Sequence, residues 1–301
     1  MSKEEPILVA IHCLVYNHEP YLRDCFEGFV MQKTNFRFVA IVHEDASTDN
    51  SAAIIREYEA KYPDIFRPIY ETENQWSKPD GSLGRIMSAA IDATGAKYIA
   101  MCEGDDYWTD PYKLQKQVDF LESHPDFSMC FHAAKIKNET TTNKKITCED
   151  IQNKEYFTND IFPGWVVPTA SVLYRREMVE KYPPLKHLEW MKYGDIVLFL
   201  QCTHIGRVWG MSEQMSVYRM TDNGAVINQK KEQNLYEHMC NHYKFLMENF
   251  PQINKEWIKD YIAAKYYTIM RHPRNAGDAI NGFVNVLHYR PFYIWKKVLK
   301  L

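Results

Sequence analysis

Residues 97–111, KYIAMCEGDDYWTDP, decide how this chain reads. An apolar run from Tyr98 to Met101 gives way at once to four carboxylates, Glu103, Asp105, Asp106 and Asp110, gathered around Gly104. Carboxylates this close repel one another unless water solvates them all or a cation sits among them. The stretch is either a hydrated turn, with Asp110 capping the next helix, or a seat for a positive ion at the end of a buried strand. Clustered acids alone favour the plain turn, so the surrounding sequence has to decide.

Upstream, strand-like and helix-like segments alternate. ILVAIHCLV (7–15), FRFVAIVHED (36–45) and FRPIYET (66–72) have the length and apolar content of strands. HEPYLRDCFEGFVMQ (18–32) sets Tyr21, Leu22, Cys25, Phe26, Phe29 and Val30 at helical spacing. STDNSAAIIREYEAKYP (47–63) opens with capping residues, and SLGRIMSAAIDATG (82–95) is helical up to Gly95. The alternation predicts an α/β fold, a mainly parallel central sheet flanked by helices on both faces. Ligands of such sheets bind beyond the carboxyl ends of the strands. Three polar clusters fall at strand ends, VYNHEP (15–20), HEDASTD (43–49) and CEGDDYW (102–108), and the fold is expected to bring them together. The chain has no GxxxxGK[ST] and no GxGxxG after its first strand, which disfavours a P-loop or nicotinamide site.

Downstream, KLQKQVDFLESHPD (113–126) reads as a helix and FSMCFHAAKI (127–136) as a strand, followed by a polar surface loop over 137–150. WVVPTASVLYRREMVEKYP (165–183) reads as strand then helix, YGDIVLFLQCTHIG (193–206) as an apolar helix, and RVWGMSEQMSVYRM (207–220) as paired strands. Residues 229–301 are mostly helical, giving an expected division into 1–110, 111–228 and a C-terminal helical extension. A net charge of -3 excludes a bulk nucleic-acid binder. Seven scattered cysteines without a CxxC suit reduced thiols in a cytoplasmic protein. The N-terminus lacks the pattern of a signal peptide, and no window holds 18 consecutive apolar residues. His238 and His242 stand four apart but lack further zinc ligands, so a packed or surface pair is expected. The segment YRPFYIWKKVLKL (289–301) mixes aromatics with lysines, as helices in peripheral contact with a membrane do, or as a helix docked on the protein body does.

Taken in order over residues 7–220, the chain resembles the inverting family 2 glycosyltransferases, which have the glycosyltransferase A fold. The resemblance rests on the strand ending in VYN (15–17), EDASTDNS (44–51), ATGAKYIAMCEGDDYWTDPYKL (93–114), YGDIVLFL and YRM. Its most specific element is the metal motif with a proline five residues after its last acid, here Asp106 and Pro111. The family's first motif is usually richer in aspartate, and the glycine of its D-G-S turn is Ala46 here. The resemblance implies a nucleotide-diphosphate sugar donor, UDP-linked, and a divalent cation, Mn2+ or Mg2+. Asp106 would ligate the metal, Asp105 would face the ribose or a metal-bound water, and Glu103 would be the first acid of the D-x-D pattern. Asp45 would accept a hydrogen bond from the base, Leu14, Val15, Tyr16 and Asn17 would line it, and Arg85 would reach the diphosphate. Asp195 would be the general base for an acceptor hydroxyl on a glycan or lipid-linked molecule, in cell-surface polysaccharide synthesis, with Glu189 the next acid in line. On this reading 1–110 bind the donor and 111–228 supply the base and the acceptor surface. Each residue also has a plain alternative: Ser47 and Asp49 as caps of the next helix, Arg85 as a solvent-exposed arginine, Asp195 as a helix cap. The rival classes are a nucleotidyltransferase, which needs a glycine-rich basic loop absent here, and a non-catalytic nucleotide- or cation-binding protein.

Overall fold

The computed structural model describes residues 5–78, 80–140, 148–162, 166–188, 191, 193–221 and 235–298. The chain forms two compact units, residues 1–182 with 205–221, and 183–204 with 222–301. The boundary expected at 228/229 lies outside the described residues.

In the first unit, β1 (Ile7–Val15), β2 (Arg37–Glu44), β3 (Phe66–Tyr70) and β4 (Tyr98–Met101) alternate with helices α1 (Leu22–Val30), α2 (Ser51–Lys61) and α3 (Ser82–Asp92). They are joined by β5 (Tyr107–Trp108), α4 (Lys113–Ser123), β6 (Phe127–Asn138), β7 (Lys154–Glu155), β8 (Leu173–Arg175) and β9 (Arg207–Met220). Among the described residues the strands form one sheet in the order β3-β2-β1-β4-β8-β6-β9-β5, with β7 also on β9. β3, β2, β1 and β4 run parallel, β8 runs against β4 and β6, and β9 returns parallel to β6. This is the expected α/β architecture, with its parallel half built from the first hundred residues. From β1 the chain moves outward to β2 and β3, then crosses back to β4 on the other side. That reversal makes the gap between β1 and β4 the switch point where such sheets open a crevice.

The apolar run of β1 follows from burial on both faces. Val9, Ile11, Cys13 and Val15 join α1, α2 and α4 in one core layer, while Ala10 joins Val39, Ile41, Met87 and Ile91 in a second layer under α3. α1 comes close enough to β5 that a Cβ at Gly28 would sit 2.9 Å from the Trp108 nitrogen. Trp108 is anchored there by its indole N–H, which donates to the Ala170 carbonyl at 2.8 Å.

Residues 207–220, expected as paired strands, are one 14-residue strand. Gly210 and the exposed Ser212–Gln214 mimic a turn in sequence. The glycine instead makes room for the Tyr156 ring, which a Cβ would overlap. The polar tract expected as a loop over 137–150 is shorter than that, since β6 runs on to Asn138 and Cys148 is buried; residues 141–147 lie outside the described set.

The second unit is helical, with Gly194–Ile205, Leu235–Asn249, Lys255–Arg271, Ala276–Tyr289 and Tyr293–Val298. Asn254 and Asn275 cap two of these helices through their side chains. Gly282 lets two helices approach until a Cβ would lie 2.8 Å from the Tyr266 carbonyl. Of the histidine pair, His242 is buried against Phe245 and Tyr193 while His238 is exposed.

Candidate functional site

The three polar clusters do come together. The Asp45 N–H donates to the Val15 carbonyl at 3.0 Å, Gly104 to Leu14 at 3.0 Å and Cys102 to His12 at 3.1 Å, so the loops after β2 and β4 are stitched to the end of β1. Side chains tighten the first two loops. Ser47 Oγ accepts the Asn17 N–H at 3.0 Å, while Asn17 Oδ1 accepts the Thr48 N–H at 2.7 Å. Asp49 Oδ2 accepts the Glu19 N–H at 3.0 Å, and the Glu19 carboxylate accepts the Asn50 N–H at 3.0 Å. Neither expected cap holds, since the N-cap of α2 is Asn50, without a side-chain cap bond, and Asp49 precedes it, its other oxygen accepting the Ser51 N–H at 2.9 Å. Ser47 does not cap α2, because its hydroxyl is committed to the loop after β1. Asn17 and Ala46 have φ of 55° and 58°. Asparagine tolerates that left-handed geometry, but alanine adopts it at a cost of about 1–2 kcal/mol. Ala46 therefore keeps the backbone shape that the family's glycine would supply.

The acid turn divides its charges. Asp110 Oδ1 accepts the Tyr112 N–H at 2.7 Å just before α4, and its other oxygen pairs with Lys116 at 2.8 Å. Asp106 is only 3% exposed, and its Oδ1 accepts the Arg219 N–H at 2.7 Å. Burial, with the neighbouring Asp105 charge adding to it, pushes the Asp106 carboxyl well above the usual carboxylate range. Asp105 is half-buried and Glu103 exposed. Gly104 between them is required by contact, since a Cβ there would lie 2.8 Å from His18 Nδ1 and 3.0 Å from Val15 Cγ2. Behind the turn, the thiols of Cys25 and Cys102 donate to the Glu103 carbonyl at 3.6 and 3.7 Å.

For a metal, the donor chemistry is the test. The carboxylates of Glu103 and Asp105 are hard oxygen donors of the kind Mg2+ and Mn2+ prefer. Among the described residues no three His, Cys, Asp or Glu side chains form a group able to hold an ion. The site therefore fits a cation taking one or two protein ligands and completing its shell from a diphosphate and water, and does not fit a cation caged by protein alone.

Asp45 is 4% exposed, and its two oxygens accept the main-chain N–H groups of Gln75 at 2.6 Å and Trp76 at 3.0 Å. It holds the segment after β3 in place. Leu14 is half-buried, Val15 buried, and Tyr16 exposed at the end of β1. Arg85 is exposed on α3 and donates to the Asp80 carbonyl at 2.6 Å. Asp195 belongs to the second unit, at the start of Gly194–Ile205, where its Oδ1 accepts the Ile196 N–H at 2.8 Å. Burial raises its carboxyl above the ordinary value. Glu189 lies outside the described residues.

Two residues escaped the sequence reading. Arg219 is buried between the rings of Tyr21 and Tyr107, 4.8 and 5.0 Å away. Its guanidinium donates to the Asp105 carbonyl at 2.8 Å, to Glu139 at 3.0 Å and to Asp24 at 2.8 Å. The signal available was a lone cation in the apolar strand end SVYRM. Lys113 opens α4 fully buried, 4.0 Å above the Trp108 ring, and its Nζ has no hydrogen-bond partner among the described residues. Burial lowers its ammonium to about 7.

A parallel half-sheet with tied loops at its switch point and outward carboxylates after β4 defines the glycosyltransferase A architecture. Residues 11–183 match glycosyl transferase family 2, and the chain belongs to that family. It is 33% identical over 220 residues to the uncharacterized protein Rv1520 of Mycobacterium tuberculosis, covering 72% of this chain and 60% of that one. The chain thus spans about 60% of the length of the curated relatives it matches first. Among solved structures, S. aureus TarS 1-349 in complex with UDP-GlcNAc superposes with a TM-score of 0.63 at 13% identity, over 94% of this chain and 81% of that one. The mannosyltransferase PcManGT of Pyrobaculum calidifontis, in complex with GDP-Man and Mn2+, gives 0.57 at 14% identity, over 98% and 87%. At such identities these likenesses carry the fold alone.

Proposed function

We propose that the protein transfers a sugar from a UDP-linked donor to a hydroxyl of a glycan or lipid-linked acceptor, with inversion at the anomeric carbon. The observation that carries this reading is the stitched set of loops at the ends of β1, β2 and β4, with Glu103 exposed and Asp105 half-buried on the turn beside them. A nucleoside diphosphate leaving group brings charge that outward carboxylates alone would repel, so a divalent cation, Mn2+ or Mg2+, belongs to the reading. When bound, that cation supplies neutralisation of the charge developing on the departing diphosphate. TarS with UDP-GlcNAc and PcManGT with GDP-Man and Mn2+ support the substrate class by analogy of fold.

In this reading Asp105 and Glu103 face the cation, while Asp106 braces the turn through the Arg219 N–H and stands behind them as the third acid of the motif. Tyr16 offers its ring to the base, and the main chain of Leu14 to Asn17 shapes the base pocket. Asp45 holds the 74–76 segment against that pocket and offers its remaining lone pairs to the base. Arg85, exposed on α3, is the cation proposed for the diphosphate. Asp195 takes the proton from the acceptor hydroxyl as it attacks opposite the leaving group. Its raised carboxyl suits that task, because a base of higher pKa draws the proton more strongly.

The test is a thermal-shift and mass-spectrometric hydrolysis screen of UDP-, GDP- and CDP-sugars with Mn2+ and with chelator. A UDP-sugar that both stabilises the protein and releases free sugar upholds the reading. Release of nucleoside monophosphate, or metal binding without any nucleotide effect, overturns it.

A further inference from the structure

Three consecutive residues of the acid turn are held by one residue far along the chain. The Arg219 N–H donates to Asp106 Oδ1 at 2.7 Å, its Nε–H donates to the Asp105 carbonyl at 2.8 Å, and the Tyr107 ring lies 5.0 Å from its guanidinium. The other two guanidinium nitrogens are committed elsewhere. One donates to Asp24 on α1 at 2.8 Å and one to Glu139, just past β6, at 3.0 Å, with the Tyr21 ring 4.8 Å away. Register brings Arg219 here. It stands opposite Lys137 in the β6–β9 pairing, and Val217, two residues before it, stands opposite Tyr107 of β5. The end of β9 thus reaches the acid turn, α1 and the end of β6 at once.

Stability alone does not account for burying this charge. A buried guanidinium has given up its water, and apolar side chains packed in its place are often as stabilising or more so. The Arg219 side chain is 3% exposed, whereas its carboxylate partners Asp24 and Glu139 are 55% and 31% exposed and keep contact with water. Glu139 also has a second cation, Lys137 at 2.7 Å. Neither acid depends on Arg219 for its charge. What the guanidinium adds is direction. Its Nε–H fixes the Asp105 carbonyl, and so the stretch of main chain from which the Asp105 carboxylate projects, while the rest of its planar fork anchors to α1 and β6. Because its charge is drawn to Asp24 and Glu139, it holds the turn without neutralising the Asp105 carboxylate.

We infer that Arg219 is a positioning residue for the divalent cation, acting through Asp105 and touching neither the cation nor the donor. The inference rests on the sugar-transfer reading, since the cation is the one shared with the donor diphosphate. Positioning and simple electrostatics predict opposite signs here. Removing a positive charge from the neighbourhood of a bound cation tightens that cation through space. Removing the group that orients a metal's ligand weakens it, typically by 10–100-fold.

The experiment is a Mn2+ titration of the UDP thermal shift in wild type, Arg219→Met and Arg219→Lys, with far-UV circular dichroism and melting temperatures of the free proteins. The main-chain N–H that serves Asp106 is present in all three. The Mn2+ concentration giving half of the shift is expected to rise about tenfold or more in Arg219→Met. In Arg219→Lys it is expected to rise at least about threefold, because lysine keeps the charge but cannot hold the Asp105 carbonyl and both carboxylates in one plane. In both variants the full UDP shift returns at saturating Mn2+. An unchanged or lowered Mn2+ requirement in Arg219→Met, or a wild-type response in Arg219→Lys, overturns the inference. A deficit that persists at saturating Mn2+, or failure of both variants to fold, overturns it in favour of a purely structural arginine. Absence of any Mn2+-dependent shift in wild type overturns the sugar-transfer reading itself, and this inference with it.

Discussion

Asparagine at position 45 removes a charge while keeping shape, and the geometry around Asp45 sets what that removal costs. The carboxylate accepts two main-chain N–H groups, from Gln75 at 2.6 Å and Trp76 at 3.0 Å, and is 4% exposed. Asparagine retains one acceptor oxygen but turns an NH2 donor toward the other N–H. One charge-assisted bond, about 1.5–3 kcal/mol, is lost, and a mostly buried N–H is left facing a donor. The sum, allowing for relaxation of the 74–76 segment, is about 2–4 kcal/mol, a sizeable share of the 5–15 kcal/mol by which domains are stable. Urea unfolding followed by far-UV circular dichroism measures it, and amide exchange at Gln75 and Trp76 localises it. Calorimetry with UDP then reads the base contact separately, where loss of a hydrogen bond to a charged group is worth about tenfold or more in affinity. Expected are a lower urea midpoint, faster exchange at those two amides and weakened UDP binding. A midpoint and exchange pattern identical to wild type would refute the clamp. Unchanged UDP affinity beside lowered stability would remove Asp45 from the base pocket and leave it the clamp alone.

Asp195→Asn is expected to cut transfer about 10²–10⁴-fold while leaving the UDP thermal shift in place, and near wild-type turnover would return the residue to a helix cap. UDP is expected to stabilise the protein only with Mn2+ or Mg2+ present, and a shift indifferent to chelator would remove the cation from the reading. Asp105→Asn is expected to weaken that metal-assisted shift while raising the melting temperature of the free protein slightly, because it takes a like charge away from Asp106. Asp106→Ala is expected to weaken the shift too but to lower the melting temperature, because it strands the Arg219 N–H. Lys113→Met tests a buried ammonium whose pKa falls from 10.5 to about 7 on folding. The unfolded chain binds more protons between those values, so this group's contribution to stability is fully present above 10.5 and is lost as pH falls through about 7. Methionine removes that dependence, and after losing the Trp108 contact the variant should be about 2–4 kcal/mol more stable at pH 7, with little gain at pH 10. Urea midpoints at the two pH values check it, and an equal effect at both would refute the assignment.

Much of the fold was legible because its parallel half obeys simple periodicities. β1 is buried on both faces and so reads as an unbroken apolar run, while α1 keeps its apolar residues at helical spacing. The strand ends were legible for the same reason, since polar clusters follow apolar runs abruptly. What stayed hidden depends on partners distant in sequence. β5 and β7 are two residues each and have no period to detect; they are strands only because β9 passes beside them. Gly210 reads as a turn until the Tyr156 ring is seen against it. The sequence also offers no means of telling which of two adjacent acids turns inward. Asp106 does so because β5 begins at the next residue and pairs with β9, which brings the Arg219 N–H within reach.

The charge accounting of the acid turn bears on why a cation belongs there. Two of its four acids are committed to the fold, Asp110 to Lys116 and the start of α4, Asp106 to the Arg219 main chain. Among the described residues the Arg219 guanidinium reaches the turn, yet it is directed to Asp24, Glu139 and the Asp105 carbonyl, not to the Asp105 carboxylate. Its single positive charge is already shared between two carboxylates, so it does little to offset Asp105. Asp105 stands half-buried beside the buried Asp106, on a turn that Gly104 packs tightly against His18 and Val15 and that therefore has little room to move its acids apart. A fold needing only a hydrated turn would gain by losing one of these acids, since like charges held close are destabilising. Neutralising both Glu103 and Asp105, as Glu103→Gln with Asp105→Asn, should accordingly raise the melting temperature of the free protein while abolishing the metal-dependent UDP shift. If the double variant is instead less stable than wild type, the two carboxylates serve the fold, and the argument for an external cation loses its electrostatic basis.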